Sequence, residues 1–233
     1  MQDVERFRRR DLPHWDMPGA TYFVTACLAG SIPAQGLLDI QTYQAEQQKT
    51  QRPAEISTEA WKTRTWKLTF ARIDQWLDHS SAVRYLQDQR LARTVLSTLL
   101  HFAGERYDVI GFAIMPSHFH WVFRPLESWV TSLTGPRSPR ERIMQSIKSY
   151  SARQCNDLLN REGAFWQEES YDHWVRDMDE LERVIHYVEN NPVNAGLVES
   201  PERWEFSSAS LRNQQRLEFG MPLHGSRPPG LPR

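Results

Sequence analysis

The sequence of 233 residues has little cysteine and no long hydrophobic run, and each absence excludes a class of protein. Cys27 and Cys155 could pair, but two cysteines cannot form the disulfide framework of a small secreted protein, nor a cysteine-rich zinc site by themselves. Apolar stretches such as residues 112–115 are far shorter than the ~20 residues that cross a bilayer. No apolar segment follows the basic start of the chain, so it does not look like a secretory signal. We therefore expect a reduced, cytoplasmic protein with no membrane partner.

Glycine, proline and net charge are also low. With 11 glycines and 14 prolines the chain is neither collagen-like nor of low complexity throughout. The 39% of hydrophobic residues can form a core, and the length suits one elaborated domain or two small ones. The net charge of −1 hides a basic block, with six basic and two acidic residues between positions 137 and 161. A charge run is more often a solvated surface, but this one permits a face that binds polyanions.

The pattern of apolar residues predicts an α+β fold. Residues 21–28, 107–115, 118–123 and 166–175 are rich in β-branched and aromatic side chains, which predicts strands, and residues 66–70 could form another. Helical spacing predicts helices over 88–106 and 179–190, the second ended by Asn191 and Pro192. A capping box with a following proline predicts that a third helix starts at Ser138. The short turn at Pro116 implies antiparallel pairing of its two strands.

Two segments fall outside this pattern. About residues 30–80 are glutamine-rich and weakly periodic, so we expect an insertion with some helix, including a short helix near Arg72. From residue 220 onward the chain has four prolines and three glycines, which predicts a flexible tail. The predicted organisation is a single domain over 1–219 and a tail over 220–233.

A His-x-His pair lies in the strand predicted at 118–123. Successive side chains of a strand alternate between faces, so the imidazoles of His118 and His120 point the same way, where they can reach one metal ion. Two histidines on a strand are more often surface or hydrogen-bonded residues, so the pair alone leaves both interpretations open. Val122 occupies the place of the third histidine of the histidine-triad hydrolases, which excludes that class.

A second group of polar residues lies in the helix that starts at Ser138. Tyr150 and Gln154 are four residues apart and so share one helix face. A metal held by imidazoles and a carboxamide oxygen can polarise a phosphate while a phenol attacks phosphorus. A tyrosine at the edge of the core and a glutamine facing solvent would have the same spacing.

Several segments resemble one family of enzymes. MPSHFHWVF at 115–123 is similar to the His-hydrophobic-His segment of the single-tyrosine HUH transposases, and QSIKSYSAR at 145–153 resembles their catalytic helix. FWQ at 165–167, YDH at 171–173, VRD at 175–177 and YVENNPVNAGLV at 187–198 resemble the signature of the REP-associated tyrosine transposases, the IS200-like branch linked to repetitive extragenic palindromes in bacteria. The resemblance extends over about residues 107–209 and, less closely, over 10–28, with Ser117 in place of the usual asparagine.

The resemblance implies a ferredoxin-like α+β sandwich, whose central antiparallel sheet carries the His-x-His motif and has helices packed on it. It implies that His118, His120 and Gln154 bind Mg²⁺ or Mn²⁺. It also implies that Tyr150 attacks single-stranded DNA at a palindromic hairpin and leaves a 5′-phosphotyrosine and a free 3′-hydroxyl. The substrate would be bacterial nucleoid DNA, and the protein would act as a monomer or a homodimer.

The basic block supplies candidate contacts to DNA phosphates: Arg137, Arg140, Arg142, Lys148, Arg153 and Arg161. Some of the nine tryptophans could stack on unpaired bases, whereas Trp121 and Trp166 are expected in the core. Two alternatives remain open: a module that binds hairpin DNA with little or no cleavage, and a metal phosphohydrolase that activates water and in which Tyr150 is only structural.

Overall fold

The structure is a computed structural model that describes residues 6–9, 13–16, 19–79, 81–168 and 170–215. The strands in this part of the chain are β1 (Arg6–Arg9), β2 (Pro13–Asp16), β3 (Thr21–Cys27), β4 (Tyr107–Ile114), β5 (His118–Pro125) and β6 (Tyr171–Val175). The α-helices described are α1 (Ala34–Lys49), α2 (Thr58–His79), α3 (Gln89–Leu100), α4 (Glu127–Val130), α5 (Pro139–Leu158), α6 (Met178–Asn194) and α7 (Ser208–Gln215). The tail predicted from residue 220 lies outside the described residues.

A four-stranded antiparallel sheet, in the order β4-β5-β3-β6, forms the centre of the fold. Strands β1 and β2 pair separately as an antiparallel ribbon. The predicted α+β class with a central antiparallel sheet is confirmed, and β5, which carries the His-x-His motif, is one of the two inner strands.

The first face of the sheet is the side that carries Phe119, Trp121 and Phe123, and α3 and α5 pack on it. These aromatic side chains are buried in one cluster with Leu99 of α3 and Ile147 of α5. Ser138 caps α5 as predicted, because its hydroxyl accepts a hydrogen bond from the Glu141 amide and the Glu141 carboxylate accepts one from the Ser138 amide.

The second face is the side that carries His118, His120 and Val122, and α2 and α6 pack on it. Phe70 of α2 and Ile185 of α6 are buried in one cluster with Val122. The glutamine-rich insertion thus forms a helical hairpin, α1 and α2. The hairpin is closely packed, since a Cβ atom at Gly36 of α1 would lie 2.8 Å from the Trp76 ring of α2.

Several predictions about local structure were wrong. Helix α3 ends at Leu100 and not at residue 106, because the chain turns before β4, with Gly104 at a φ of 79°. Residues 66–70 belong to the long helix α2, not to a strand. In a strand Leu68 would share a face with Trp66 and Phe70, but it lies on the exposed side of the helix. Strand β6 begins at Tyr171 and not at Trp166, which makes only an isolated bridge to Leu28.

Helix α6 does not end before Pro192, as predicted, but continues to Asn194. A proline removes one N–H donor and clashes with the preceding turn, which is tolerated best near a helix end. The chain then turns at Gly196, whose φ of 70° suits glycine.

The described cysteines do not form a disulfide. Cys27 is buried on the second face and Cys155 on the first, and both are free thiols. Trp121 and Trp166 are buried, as expected from the sequence. Among the described helices, none combines the length and apolar character needed to cross a membrane.

Candidate functional site

The two histidines of β5 form the centre of the candidate site. Their side chains point from the second face, as strand alternation predicts, and both are fully buried. The Nε2 atoms of His118 and His120 lie 3.0 Å apart. Two ring nitrogens at this distance either share a proton or converge on a cation.

Hydrogen bonds to the Nδ1 atoms orient both rings. Thr25 Oγ1 lies 2.8 Å from Nδ1 of His120, and Ser117 Oγ lies 3.0 Å from Nδ1 of His118. The Ser117 hydroxyl donates its single proton to the carbonyl of Leu77, 3.2 Å away, so Nδ1 of His118 is the donor to the serine oxygen. Nε2 of His118 therefore carries the free lone pair that a metal ion needs.

A carboxylate from α2 completes the cluster. Asp74 Oδ1 lies 3.4 Å from Nε2 of His120, and the ligand atoms of Asp74, His118 and His120 all lie within 4.8 Å of one another. Among the described residues, this buried Oδ1 has no hydrogen-bond partner. A buried carboxylate oxygen without a donor fits a bound cation.

Two residues of α6 orient the carboxylate of Asp74. The hydroxyl of Tyr187 donates a hydrogen bond to Oδ2 of Asp74, and the side-chain amide of Asn191 lies 3.4 Å from the same oxygen. Oδ1 is thereby turned toward the histidines. Sequence reasoning missed Asp74 because a lone aspartate in a segment taken for an insertion gives no sign that its helix packs over β5.

The electrostatics of the cluster suit a divalent cation. Burial, and then repulsion from the neighbouring His120, lower the pKa of His118 to about 3, although Asp74 opposes this shift. Burial would raise the pKa of Asp74, but its interactions with the nearby imidazoles of His120 and His118 and the hydrogen bond from Tyr187 outweigh this effect, and the pKa lies below its usual value. Near neutral pH the site therefore offers a neutral imidazole at His118 and a carboxylate at Asp74.

Aromatic side chains cover the imidazoles. The ring centroid of His120 lies 5.7 Å from that of Phe23, 5.9 Å from that of Phe70 and 5.5 Å from that of Tyr187. Because Phe70 and Asp74 both belong to α2, this helix closes the site from solvent.

Tyr150 and Gln154 lie on α5. Tyr150 is 48% exposed, and the guanidinium of Arg153 lies 5.7 Å from the centre of its ring. Gln154 is half-buried. Helix α5 packs on the first face, whereas the histidines point from the second, so the sheet lies between this helix and the imidazoles. The structure brings the histidines together with Asp74, and the roles of Tyr150 and Gln154 stay predictions.

The basic residues predicted to contact DNA also make contacts within the fold. Arg137 and Arg142 donate hydrogen bonds close to the start of α5, and three others contact more distant groups. Arg140 is 4% exposed, and its guanidinium lies 3.4 Å from the Asp172 carboxylate. The ammonium of Lys148 donates hydrogen bonds to the carbonyls of Gln167 and Glu168, at 2.6 and 2.7 Å.

The third, Arg161, has its guanidinium 5.1 Å from the centre of the Tyr85 ring and donates to the Ala164 carbonyl, 3.2 Å away. Arg153 lies beside Tyr150, and Arg137 and Arg142 line a groove at the start of α5. The six residues therefore do not form one continuous basic surface.

Comparisons with known proteins include a structural likeness. No protein-family model matches the chain, and no curated protein matches it in sequence. A solved structure of a REP-associated tyrosine transposase bound to a REP hairpin aligns with 99% of this chain and 98% of that chain, at a TM-score of 0.46 and 16% sequence identity. The fold class rests on the sheet topology of the protein itself.

Proposed function

We propose that this protein is a metal-dependent endonuclease and strand transferase that acts on single-stranded DNA at palindromic, REP-type hairpins in the bacterial cytoplasm. The observation that carries the proposal is the convergence of His118 and His120 of β5 with Asp74 of α2 in a preformed cluster of donor atoms. The motif in β5 and the sequence around Tyr150 resemble the two halves of the active site in the single-tyrosine HUH transposases.

Mg²⁺ or Mn²⁺ would bind at His118, His120 and Asp74, where its chemical contribution is to polarise a DNA phosphate as a Lewis acid. Imidazole nitrogens favour Mn²⁺ over Mg²⁺, which prefers oxygen ligands. The sequence resemblance assigns the third ligand to Gln154. We propose Asp74 for that position, since its unpartnered oxygen faces the histidines.

Tyr150 is the nucleophile in this proposal. Its phenolate oxygen attacks phosphorus, the bond from phosphorus to the 3′ oxygen breaks, and that oxygen takes up a proton to become a free 3′-hydroxyl. The Arg153 guanidinium lies 5.7 Å from the centre of the Tyr150 ring, a position from which it can contact the DNA phosphate that is attacked. Attack by a different 3′-hydroxyl on the phosphotyrosine reverses the step and joins two strands.

The reaction requires a movement of α2. Both imidazoles are fully buried beneath Phe70 and Asp74, so no phosphate can reach them while α2 stays docked. The structure corresponds to the closed form of the site.

The test is a cleavage assay on a labelled single-stranded oligonucleotide that carries a REP-type hairpin with several bases 5′ of its foot. The protein is incubated with Mn²⁺ or Mg²⁺, with and without chelator, and the products are separated on denaturing gels. We expect a chelator-sensitive cut and a covalent protein–DNA adduct, both lost in Tyr150→Phe. Tyr43→Phe is the matched control, because an arginine guanidinium also lies over that ring, at 5.0 Å, and Tyr43 lies on α1.

The separation of Tyr150 from the buried histidines favours a second candidate, a module that binds hairpin DNA without cutting it. Hairpin binding with no product in any metal would support the module and contradict the proposal. A chelator-sensitive cut that persists in Tyr150→Phe without an adduct would instead indicate a phosphohydrolase that activates water.

A further inference from the structure

A groove of about 570 Å³ lies at the start of α5, beside the ends of β4 and β5. It is formed by the loop before α5, the first turns of α5, the connection that precedes β4 and the short helix α4. Its lining residues are Arg106, Trp129, Leu133, Pro136, Arg137, Arg142 and Gln145.

The charge of the groove is of one sign. Arg106, Arg137 and Arg142 contribute three guanidiniums, and none of the described lining residues is a carboxylate. Three cations that share one concave surface repel each other and raise the local concentration of anions. The groove is therefore suited to a polyanion.

Two of these arginines are held in place by the protein. Arg142 donates hydrogen bonds to the backbone carbonyls of Thr134 and Arg137, and Arg137 donates to the side-chain carbonyl of Gln145. Each guanidinium carries five N–H donors, so these hydrogen bonds leave donors for a phosphate. Because the side chains are already ordered, binding costs less conformational entropy.

Trp129 adds an aromatic surface. Its ring packs against the core cluster of the first face and also lines the groove. A base can stack on a tryptophan only when it is unpaired, and such stacking contributes about 1–3 kcal/mol per base. Cationic groups beside an aromatic ring therefore favour single-stranded nucleic acid over a duplex.

Tyr150 lies further along α5 than the residues that line the groove. Gln145, Ser149 and Tyr150 are all exposed on this helix. The rise from Gln145 to Tyr150 is ~7.5 Å at the α-helical rise per residue.

We propose that this groove binds the unpaired DNA next to the hairpin, with phosphates on Arg106, Arg137 and Arg142 and a base on Trp129, and leads the strand to Tyr150. The proposal rests on the proposed function for the identity of the strand. Binding is measured without cleavage, so the two can fail independently.

The experiment uses the full chain with Tyr150→Phe, in chelator, and fluorescence anisotropy with a short labelled single strand. We expect Arg137→Gln with Arg142→Gln to weaken binding about tenfold or more and to lower the slope of log K against log salt by about 0.7 for each phosphate that is no longer neutralised. The matched control is Arg90→Gln with Arg203→Gln, which removes two exposed arginines paired with Asp88 and Glu199 elsewhere. The control pair should bind like its parent.

Because Arg142 also holds the loop before α5, its substitution could weaken binding by disturbing that loop. Two further variants therefore test the groove without changing Arg142. Arg106→Gln should weaken binding to single strand and duplex alike, and Trp129→Leu should weaken binding to the single strand selectively. Thermal unfolding of each variant checks the fold. Binding equal to that of the control pair, or equal binding of duplex and single strand by the parent, would overturn the proposal.

The experiments distinguish failure of the groove assignment from failure of the proposed function. If the groove variants lose binding and the wild-type protein forms no adduct, the groove assignment stands and the proposed function fails. If the groove variants bind like the control pair and the wild-type protein forms an adduct, the groove assignment fails and the proposed function stands.

Discussion

At the scale of single residues, His118 sets how the stability of the protein depends on pH. Its pKa of about 3 in the fold lies below the ordinary value of 6.5, so between these values the unfolded chain binds a proton that the folded chain does not. The free energy of unfolding therefore falls as the solution is acidified below about pH 6.5, by up to about 1.4 kcal/mol per pH unit.

The measurement is denaturant unfolding at several pH values in chelator. His118→Gln should flatten the dependence over this range, whereas the exposed His101→Gln should leave it unchanged. A wild-type profile that is flat between pH 6.5 and 5 would show that His118 takes up a proton in the fold.

Asp74 decides a second question at this scale, the identity of the third ligand. Asp74→Asn removes the charge but keeps the shape, so we expect Mn²⁺ affinity to fall by at least about tenfold in calorimetric titration without DNA. Gln154→Ala should bind Mn²⁺ like wild type, because α5 lies across the sheet from the imidazoles.

Asp179→Asn, an exposed change in the first turn of α6, is the charge control for this titration. If Gln154→Ala weakened Mn²⁺ binding and Asp74→Asn did not, the third metal ligand would be Gln154.

The residues of the metal cluster differ in how far the sequence predicts them. Strand alternation alone places His118 and His120 on one face, because the period of a strand is fixed. Asp74 could not be predicted in this way, since its place in the cluster depends on where α2 docks. That docking is decided by contacts of Phe70 and Tyr187 that are distant in sequence.

At the scale of secondary-structure elements, α2 acts as the cover of the site. Phe70 joins this helix to the sheet through its contact with Phe23, at 5.2 Å between ring centroids. Its ring also stacks on that of Trp66 in the same helix, at 5.1 Å. Phe70→Ala removes these ring contacts, so α2 should detach more often and its backbone amides should exchange hydrogen faster.

Hydrogen exchange followed by mass spectrometry checks this effect in peptides from 66–79, with peptides from β4 as an internal reference. Leu68→Ala, an exposed change on the same helix, is the control. Equal exchange in both variants would mean that α2 does not open as a unit.

Local signals predicted some elements well. The capping box at Ser138 fixes the start of α5, because it depends on residues close in sequence. The segment over 66–70 could not be assigned from local signals, because five residues fit both the period of a strand and that of a helix. The helical assignment follows only from the longer series Phe70, Ile73 and Leu77, all of which are buried in the structure.

At the scale of the whole molecule, the sequence did not predict which helices cover each of the two faces of the sheet. Amphipathic periodicity indicates that a helix buries one side but not which face of the sheet receives it. The predicted α+β class needed only the order of the elements. The assignment of α5 to the first face and α2 to the second had to come from the packing itself.

This arrangement leads to a prediction about assembly. Bringing Tyr150 to the histidines of its own chain would require α5 to leave the first face, and it would expose the buried side chains of Ile143, Ile147 and Cys155. Losing even one such apolar side chain from a core costs about 2–5 kcal/mol. A second copy could instead present its exposed Tyr150 once α2 has opened, with α5 still packed. We therefore expect the active species to combine Tyr150 of one copy with the histidines of another.

Mixing two inactive variants tests this expectation. Tyr150→Phe retains the metal cluster and His118→Ala retains the nucleophile, so each alone should form no DNA adduct, while their mixture should regain a fraction of wild-type adduct. The adduct should form on the His118→Ala chain, which a size tag on one variant identifies. Tyr150→Phe mixed with a chain that carries both changes is the control and should remain inactive. An active wild-type protein whose variants never complement would mean that one chain supplies both groups, and α5 would then have to leave the first face despite the cost.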